Sequence, residues 1–222
     1  GKWNLIYSLC VKTVKEFYHI VNEVNSLYGK YILNQSIAAH AEVEIISRGY
    51  FLQKAGIGTT WYKTVETSPL DDEDLKILSV MAQHARMPST EIAKLTNLTT
   101  RVVAYRLKKI KALGIINRFR LQLDVKKIGM SFYKAVVYIK DYTPSKNNAL
   151  KQHCIAQGNI VHYEQKIGPW MLELELDAEN YESADKQLKM LKEQFPDFIR
   201  SYELLLIKEE PKGELDLTKM IA

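Results

Sequence analysis

The sequence predicts an α+β protein: a winged helix-turn-helix followed by a ferredoxin-like βαββαβ domain, preceded by a second half-copy of that domain. Three observations predict it. Residues 70–124 run helix, short helix, tight connection, helix and basic alternating segment, and residues 132–208 alternate between strand-like and helix-like periods in the order βαββαβ. The end of the second pattern also recurs 167 residues earlier in the chain.

The chain opens at Gly1-Lys2-Trp3, and Leu5, Tyr7, Leu9 and Val11 alternate with polar residues as in a half-buried strand. Gly168-Pro169-Trp170 with Leu172, Leu174 and Leu176 repeats that opening. The match continues through the next helix, Val21 against Leu188, Val24 against Leu191 and Tyr28 against Phe195, and into a strand, Tyr31 against Phe198 and Ile32 against Ile199. Each copy reads as strand, helix, strand: Trp3 to Val11, Val14 to Tyr28 and Tyr31 to Ile46, then Trp170 to Leu176, Glu179 to Phe195 and Phe198 to Lys208. Only the second copy is preceded by a further strand at Phe132–Ile139, a helix at Pro144–Ala156 begun by Thr143 and Pro144, and a strand at Asn159–Lys166. A half-domain leaves strand edges and an apolar face open. The expectation is therefore that the chain is the C-terminal part of a longer protein, or that another polypeptide supplies the missing half. Expected boundaries are 1–51 for the half-domain, 52–69 for a connector, 70–124 for the winged helix-turn-helix, 130–210 for the complete sheet domain and 211–222 for a tail.

Between the copies, Asp71 is placed to cap a helix with apolar positions Leu75, Leu78, Val80, Met81 and Ala82. Ser89 is placed as the hydroxyl cap of a short helix through Leu95, and Thr96-Asn97-Leu98 as a tight connection. Thr99 or Thr100 caps a third helix that Gly114 stops, and Ile115 to Leu123 reads as a strand or wing. At about 100° per residue, Val103, Leu107 and Ile110 share the buried side of the third helix and Arg101, Tyr105 and Lys108 the opposite one. An arginine reads a guanine edge bidentately, lysine and helix N-termini favour phosphate, and the small Ala104 permits close approach to a groove wall. Arg101 and Tyr105 are assigned to base or sugar edges, and Lys108, Arg118 and Arg120 to the backbone. Ser89, Thr99 and Thr100 are further phosphate candidates, although capping alone explains them.

Charge distribution favours the same partner. The whole chain carries only +5, but residues 86–127 hold an excess of +9 and the remainder is acidic. Composition excludes collagenous, low-complexity and disulfide-scaffold classes, and no apolar run approaches the roughly 20 residues of a membrane span. A cytoplasmic location without a membrane partner is expected, with Cys10 and Cys154 as reduced core thiols. The five histidines are far apart in sequence, Gly56-Ile57-Gly58 lacks a phosphate-loop ending, and Glu173 and Glu175 read as the solvent side of a strand. No catalytic residue, metal ligand or cofactor is therefore assigned, and the chain is read as a non-enzyme.

Leu70-Asp71, Asp74, Lys76-Ile77-Leu78, Ala85-Arg86, Ile92-Ala93, Leu98-Thr99, Arg106-Leu107 and Leu113-Gly114-Ile115-Ile116 resemble the DNA-binding domain of the Lrp/AsnC (feast/famine) transcriptional regulators. The βαββαβ unit resembles that family's regulatory domain. The resemblance implies a prokaryotic, cytoplasmic, sequence-specific regulator that binds double-stranded DNA and self-associates through its sheet domains, with a small-molecule effector. Tandem copies in one chain would form an intramolecular pseudo-dimer. Gly168, Trp170 and Met171 occupy the turn that the resemblance assigns to the effector, but Met171 stands where the family has an acidic residue, so no carboxylate is present to hold an α-ammonium. The alternative reading is a sheet-domain protein that binds an amino acid or metabolite, with a structural helix-turn-helix.

Overall fold

A computed structural model describes residues 3–52, 56–60, 70–116, 119 and 123–209. In chain order they form α1 (Val14–Tyr28), β1 (Ala39–Ile46), β2 (Gly58–Thr60), α2 (Asp72–Gln83), α3 (Ser89–Thr96), α4 (Thr100–Ala112), β3 (Ser131–Ile139), α5 (Pro144–Gln157), β4 (Ile160–Ile167), β5 (Leu172–Ala178), α6 (Tyr181–Gln194) and β6 (Ile199–Ile207). Described residues within 1–6, 33–62 and 122–210 make one compact unit, and those within 7–32 and 63–121 make the other.

The first unit is a six-stranded antiparallel sheet in the order β2-β1-β4-β5-β3-β6. Strands β3 to β6 and helices α5 and α6 realise the βαββαβ order read from sequence. Local signals set the helix boundaries. Thr143 accepts from Lys146 N and Pro144 opens α5, whose left-handed stop is Gly158. Asn180 caps α6 by accepting from Ser183 N. One sheet face is a core in which Leu150 and Cys154 of α5 and Ala184, Leu188 and Leu191 of α6 pack on Tyr133, Ala135, Tyr163, Leu172, Leu174 and Leu176. Burial pushes the Cys154 thiol up to about 12. The other thiol departs from expectation: Cys10 is exposed.

The N-terminal half-copy does not assemble as read. Helix α1 has the expected bounds, with Thr13 as its cap. Trp3 to Val11 form no strand, because alternation marks a strand only where a neighbouring edge completes its ladder. The next strand begins at Ala39 rather than Tyr31, after a single 3-10 turn at Gly29–Tyr31. It joins the complete domain's sheet, pairing with β4 from Ala39↔Ile167 to Ile45↔His162. Part of the expected connector is also structured, since β2 at Gly58–Thr60 pairs with β1. Positions matched by the repeat differ only in part in burial: Val21 is buried like Leu188, whereas Val24 is half-buried where Leu191 is buried, and Tyr28 is exposed where Phe195 is half-buried. The remainder of the connector, most of the wing and the tail lie outside the described residues.

The sheet's second face holds charge. Glu173 and Glu175, read as solvent-facing, are buried together with Lys134, Glu164 and Lys166. Lys134 Nζ lies 2.8 Å from Glu173, 2.8 Å from Glu175 and 3.5 Å from Glu164, and Lys166 Nζ lies 3.0 Å from Glu164 and 3.2 Å from Glu173. Burial opposes the ammonium, but the three carboxylates outweigh it and hold Lys134 above its usual range. Burial likewise opposes the charge of Glu173, yet Lys134 and Lys166 bring it to about 2. Glu175 reaches about 2 against burial through His162 and Lys134. Glu164 is raised by burial and by Glu175. His40 is lowered by burial and by Lys166, whose Nζ lies 2.9 Å from His40 Nε2.

Two outcomes follow from this packing. Leu174→Ala removes a fully buried side chain between the helices and the sheet, and should cost about 2–5 kcal/mol in a denaturant titration. Acid should destabilise the fold through Glu173 and Glu175. Unfolded glutamates titrate near 4.3, so as pH falls from about 5 toward 2 the unfolded chain takes up protons that the folded chain refuses. Urea midpoints at pH 7 and pH 3 should therefore separate for the wild type and lie closer together for Glu173→Gln. An unchanged separation would remove the network from acid sensitivity.

Candidate nucleic-acid interface

The second unit places the predicted readers on one helix. Helix α2 begins at Asp71, whose carboxylate accepts from Asp74 N, and α4 begins at Thr99, whose hydroxyl accepts from Val102 N. Thr96 and Asn97 make the turn between α3 and α4. The Thr96 hydroxyl donates to Ile92 O, and Asn97 takes the left-handed conformation at φ 57°. Gly114 closes α4 at φ 72°, with Gly114 N bonded to Lys111 O and Ile115 N to Ile110 O, the paired bonds of a Schellman stop. Ser89 is not the cap it was read as. It is the first residue of α3, and the preceding Pro88 holds the cap position without a side-chain bond.

These ends fix α4 against a small core of Ile77, Met81, Ile92, Ala93 and Val103, with Leu98 and Leu107 packed beside it. Val103 and Ile110 are fully buried. The opposite side is open: Arg101, Ala104, Tyr105 and Lys108 are all exposed, Tyr105 to 70%. The helix carries five basic residues and no acidic one. Thr99 and Thr100 stand exposed at its N-terminus, where unsatisfied amides and the helix dipole favour an anion. Ser89 is half-buried. Of the wing, Phe119 is described and lies under Lys111 Nζ at 5.3 Å from the ring centroid, whereas Arg118 and Arg120 fall outside the described residues.

One basic residue of α4 reaches three carboxylates at the start of α2. Arg106 Nη1 lies 2.7 Å from Asp71 Oδ2 and 2.8 Å from Asp74 Oδ1, and Nη2 bonds Glu73 Oε2. The Asp74 N–H and then Arg106 hold the Asp71 carboxyl below its usual range. No short-range pattern signals this arrangement, because the partners are more than 30 residues apart in sequence.

In the sheet unit, Gly168 leaves room for the backbone of residues 37–38: a Cβ there would meet Ile37 O at 2.8 Å and Ala38 Cα at 2.9 Å. Trp170 is half-buried. Its indole N–H donates to Glu173 Oε1 at 2.8 Å, and its ring meets Trp3, the equivalent residue of the other copy, edge-on at 5.7 Å. Met171 is exposed. A groove of about 620 Å³ opens between α6 and β6, lined in part by Tyr181, Asp185, Lys189 and Tyr202, and none of Gly168, Trp170 and Met171 lines it. His162, Glu164 and Glu175 bring one nitrogen and two oxygen donors within 4.8 Å of one another, but the ammonium of Lys134 already supplies the positive charge between the two glutamates. Among the described residues no helix is long and apolar enough to cross a membrane.

Residues 70–111 match the AsnC-type helix-turn-helix domain. An HTH-type transcriptional regulator of Pyrococcus abyssi is 28% identical over 152 residues, which span 66% of this chain and 97% of that protein. Among solved structures, AsnC of E. coli is similar with a TM-score of 0.55 at 19% identity, over 66% of this chain and 97% of the other. A transcriptional regulator of Neisseria meningitidis, solved in complex with L-Met, is similar with a TM-score of 0.59 at 15% identity, over 67% and 96%. In its helix-turn-helix the chain is thus similar to AsnC-type regulators, and in fold its helix-turn-helix and sheet domain together are similar to these solved transcriptional regulators.

Proposed function

We propose that this chain regulates transcription by sequence-specific binding of double-stranded DNA, with α4 as the helix that enters the major groove. The observation that carries the reading is the division of α4 into two sides: Val103 and Ile110 sealed in the core, and Arg101, Tyr105 and Lys108 exposed beside Ala104. A helix with that division can lie in a groove about 12 Å wide and present side chains to base edges while its buried side stays in the domain. Arg101, in the first turn, reads a base edge and Tyr105 a base or sugar edge. Lys108 meets phosphate, and Thr99, Thr100 and Ser89 add backbone bonds near helix starts. Arg118 and Arg120 extend the same backbone contacts from the wing.

Regulation of this binding by a small molecule at Gly168, Trp170 and Met171, and self-association through the sheet domain, complete the proposal. Exposed Met171 beside the half-buried Trp170 offers an apolar contact, and no carboxylate at that turn selects an α-ammonium. The L-Met bound by the Neisseria regulator makes a sulfur-containing amino acid a reasonable first probe. The nine-residue β6 at the sheet edge supports pairing between copies.

Selection from random genomic duplexes at two salt concentrations tests the main reading. Enrichment of a repeated or palindromic site, with affinity falling at a log-log salt slope of about −0.9 per phosphate contact, is the expected result. Arg101→Ala should then lose about 1–3 kcal/mol of discrimination at one base position. Lys108→Ala should weaken specific and random duplexes alike and make the slope shallower by about one contact. Equal losses on both duplexes for both variants would overturn the division of roles.

A further inference from the structure

We infer that Arg106 is a positioning residue: it fixes the rotation of α4 against α2, and through that rotation sets base-sequence discrimination without touching DNA. The inference rests on the regulator reading above and extends it to a residue inside the domain.

Apolar contacts set how deeply α4 sits, but they are non-directional and leave rotation about the helix axis weakly fixed. Arg106 supplies direction. Its planar guanidinium reaches three carboxylates at the start of α2, with Nη1 at 2.7 Å from Asp71 and 2.8 Å from Asp74, and Nη2 on Glu73. Asp71 is at the same time the cap of α2, accepting from Asp74 N at 2.9 Å. The bridge therefore joins the side chain of one helix to the backbone of another. Asp74 is fully buried, so its charge must be paired; Arg106 is the near partner and Lys109 Nζ the far one at 3.8 Å. Rotating α4 would break several charge-assisted bonds at once.

The geometry makes such a rotation costly for recognition. Helix side chains reach about 5–6 Å from the axis, so a turn of about 10° moves a tip by about 1 Å. That exceeds what a bidentate hydrogen bond to a base edge tolerates. Phosphate attraction, which is long-ranged and less directional, survives the same displacement. Tyr105 is the immediate neighbour of Arg106 in α4, and Arg101 and Lys108 ride on the same rigid helix. Discrimination should thus fall before bulk affinity does.

The test uses the full chain, its selected duplex and a random duplex. Arg106→Ala is expected to reduce the ratio of specific to random affinity about tenfold, the weight of one base-reading side chain, with the salt slope unchanged. Arg106→Lys keeps the charge but not the fork, and should lose discrimination in the same direction. Asp71→Ser keeps a capping oxygen for α2 while deleting the carboxylate that Arg106 holds. It should lower the ratio several-fold at unchanged helix content by circular dichroism, which keeps the inference testable if Arg106→Ala does not fold. An Arg106→Lys protein that discriminates like the wild type overturns the positioning role. So does an Arg106→Ala protein whose salt slope is shallower by about one contact with equal loss on both duplexes, since that marks a phosphate ligand. A wild type that selects no sequence overturns the regulator reading itself, and the two failures are thereby distinguished.

Discussion

A cation held among three carboxylates, buried in the sheet and half-buried in the helical unit, is the constraint on which both units depend. In the sheet, the Lys134 ammonium stands between Glu164, Glu173 and Glu175; in the helical unit, the Arg106 guanidinium stands among Asp71, Glu73 and Asp74. Such pairs are weak sources of net stability, because desolvation offsets much of the attraction. Their effect is to make one arrangement far better than its neighbours. Slipping β5 by one residue against β3 would turn Glu173 and Glu175 into the helix-covered core and leave Lys134 unpaired. Rotating α4 would leave Asp74 as an uncompensated charge. Apolar packing makes each unit compact, and the ion clusters specify register and rotation.

This division explains which features were legible in the sequence. Caps and stops act over three or four residues, so Asp71, Thr99, Thr143 and Gly114 announced their helix ends and the structure places them there. The outward set of α4 followed from helical periodicity alone. Periodicity could not report what covers a second face, so Glu173 and Glu175 read as solvent-exposed although the sheet buries them. Nor does a local pattern link Arg106 to Asp71, 35 residues away. The hydroxyl rule misplaced the start of α3 because proline, which lacks an N–H, serves equally well at a helix entry.

Helix α4 also shows why net charge is a poor guide to a binding surface. Two of its basic side chains are ion-paired within the unit: Arg106 with the acidic start of α2, and the exposed Lys109 with Asp74 at 3.8 Å. A third, Lys111, lies over Phe119. Arg101 and Lys108 remain on the outward face with Tyr105 and Ala104. The concentration of charge read between residues 86 and 127 thus divides into charge paired within the domain and charge left exposed on the outward face of α4.

The internal repeat makes the same point about strands and helices. Residues 3–32 and 170–199 share their apolar spacing, yet the second set forms β5, α6 and the start of β6 while the first forms α1 without a strand on either side before Ala39. The helix persists in both because its hydrogen bonds are internal to the segment. The strands differ because their bonds must come from a neighbour: β5 lies between β4 and β3, whereas Leu5 to Val11 have no ladder. β1, which starts at Ala39 rather than at Tyr31 or Ile32, takes the open edge of β4 instead. The pattern of a strand in sequence is thus a statement of compatibility, and a free edge at the right place in the sheet decides whether the strand forms.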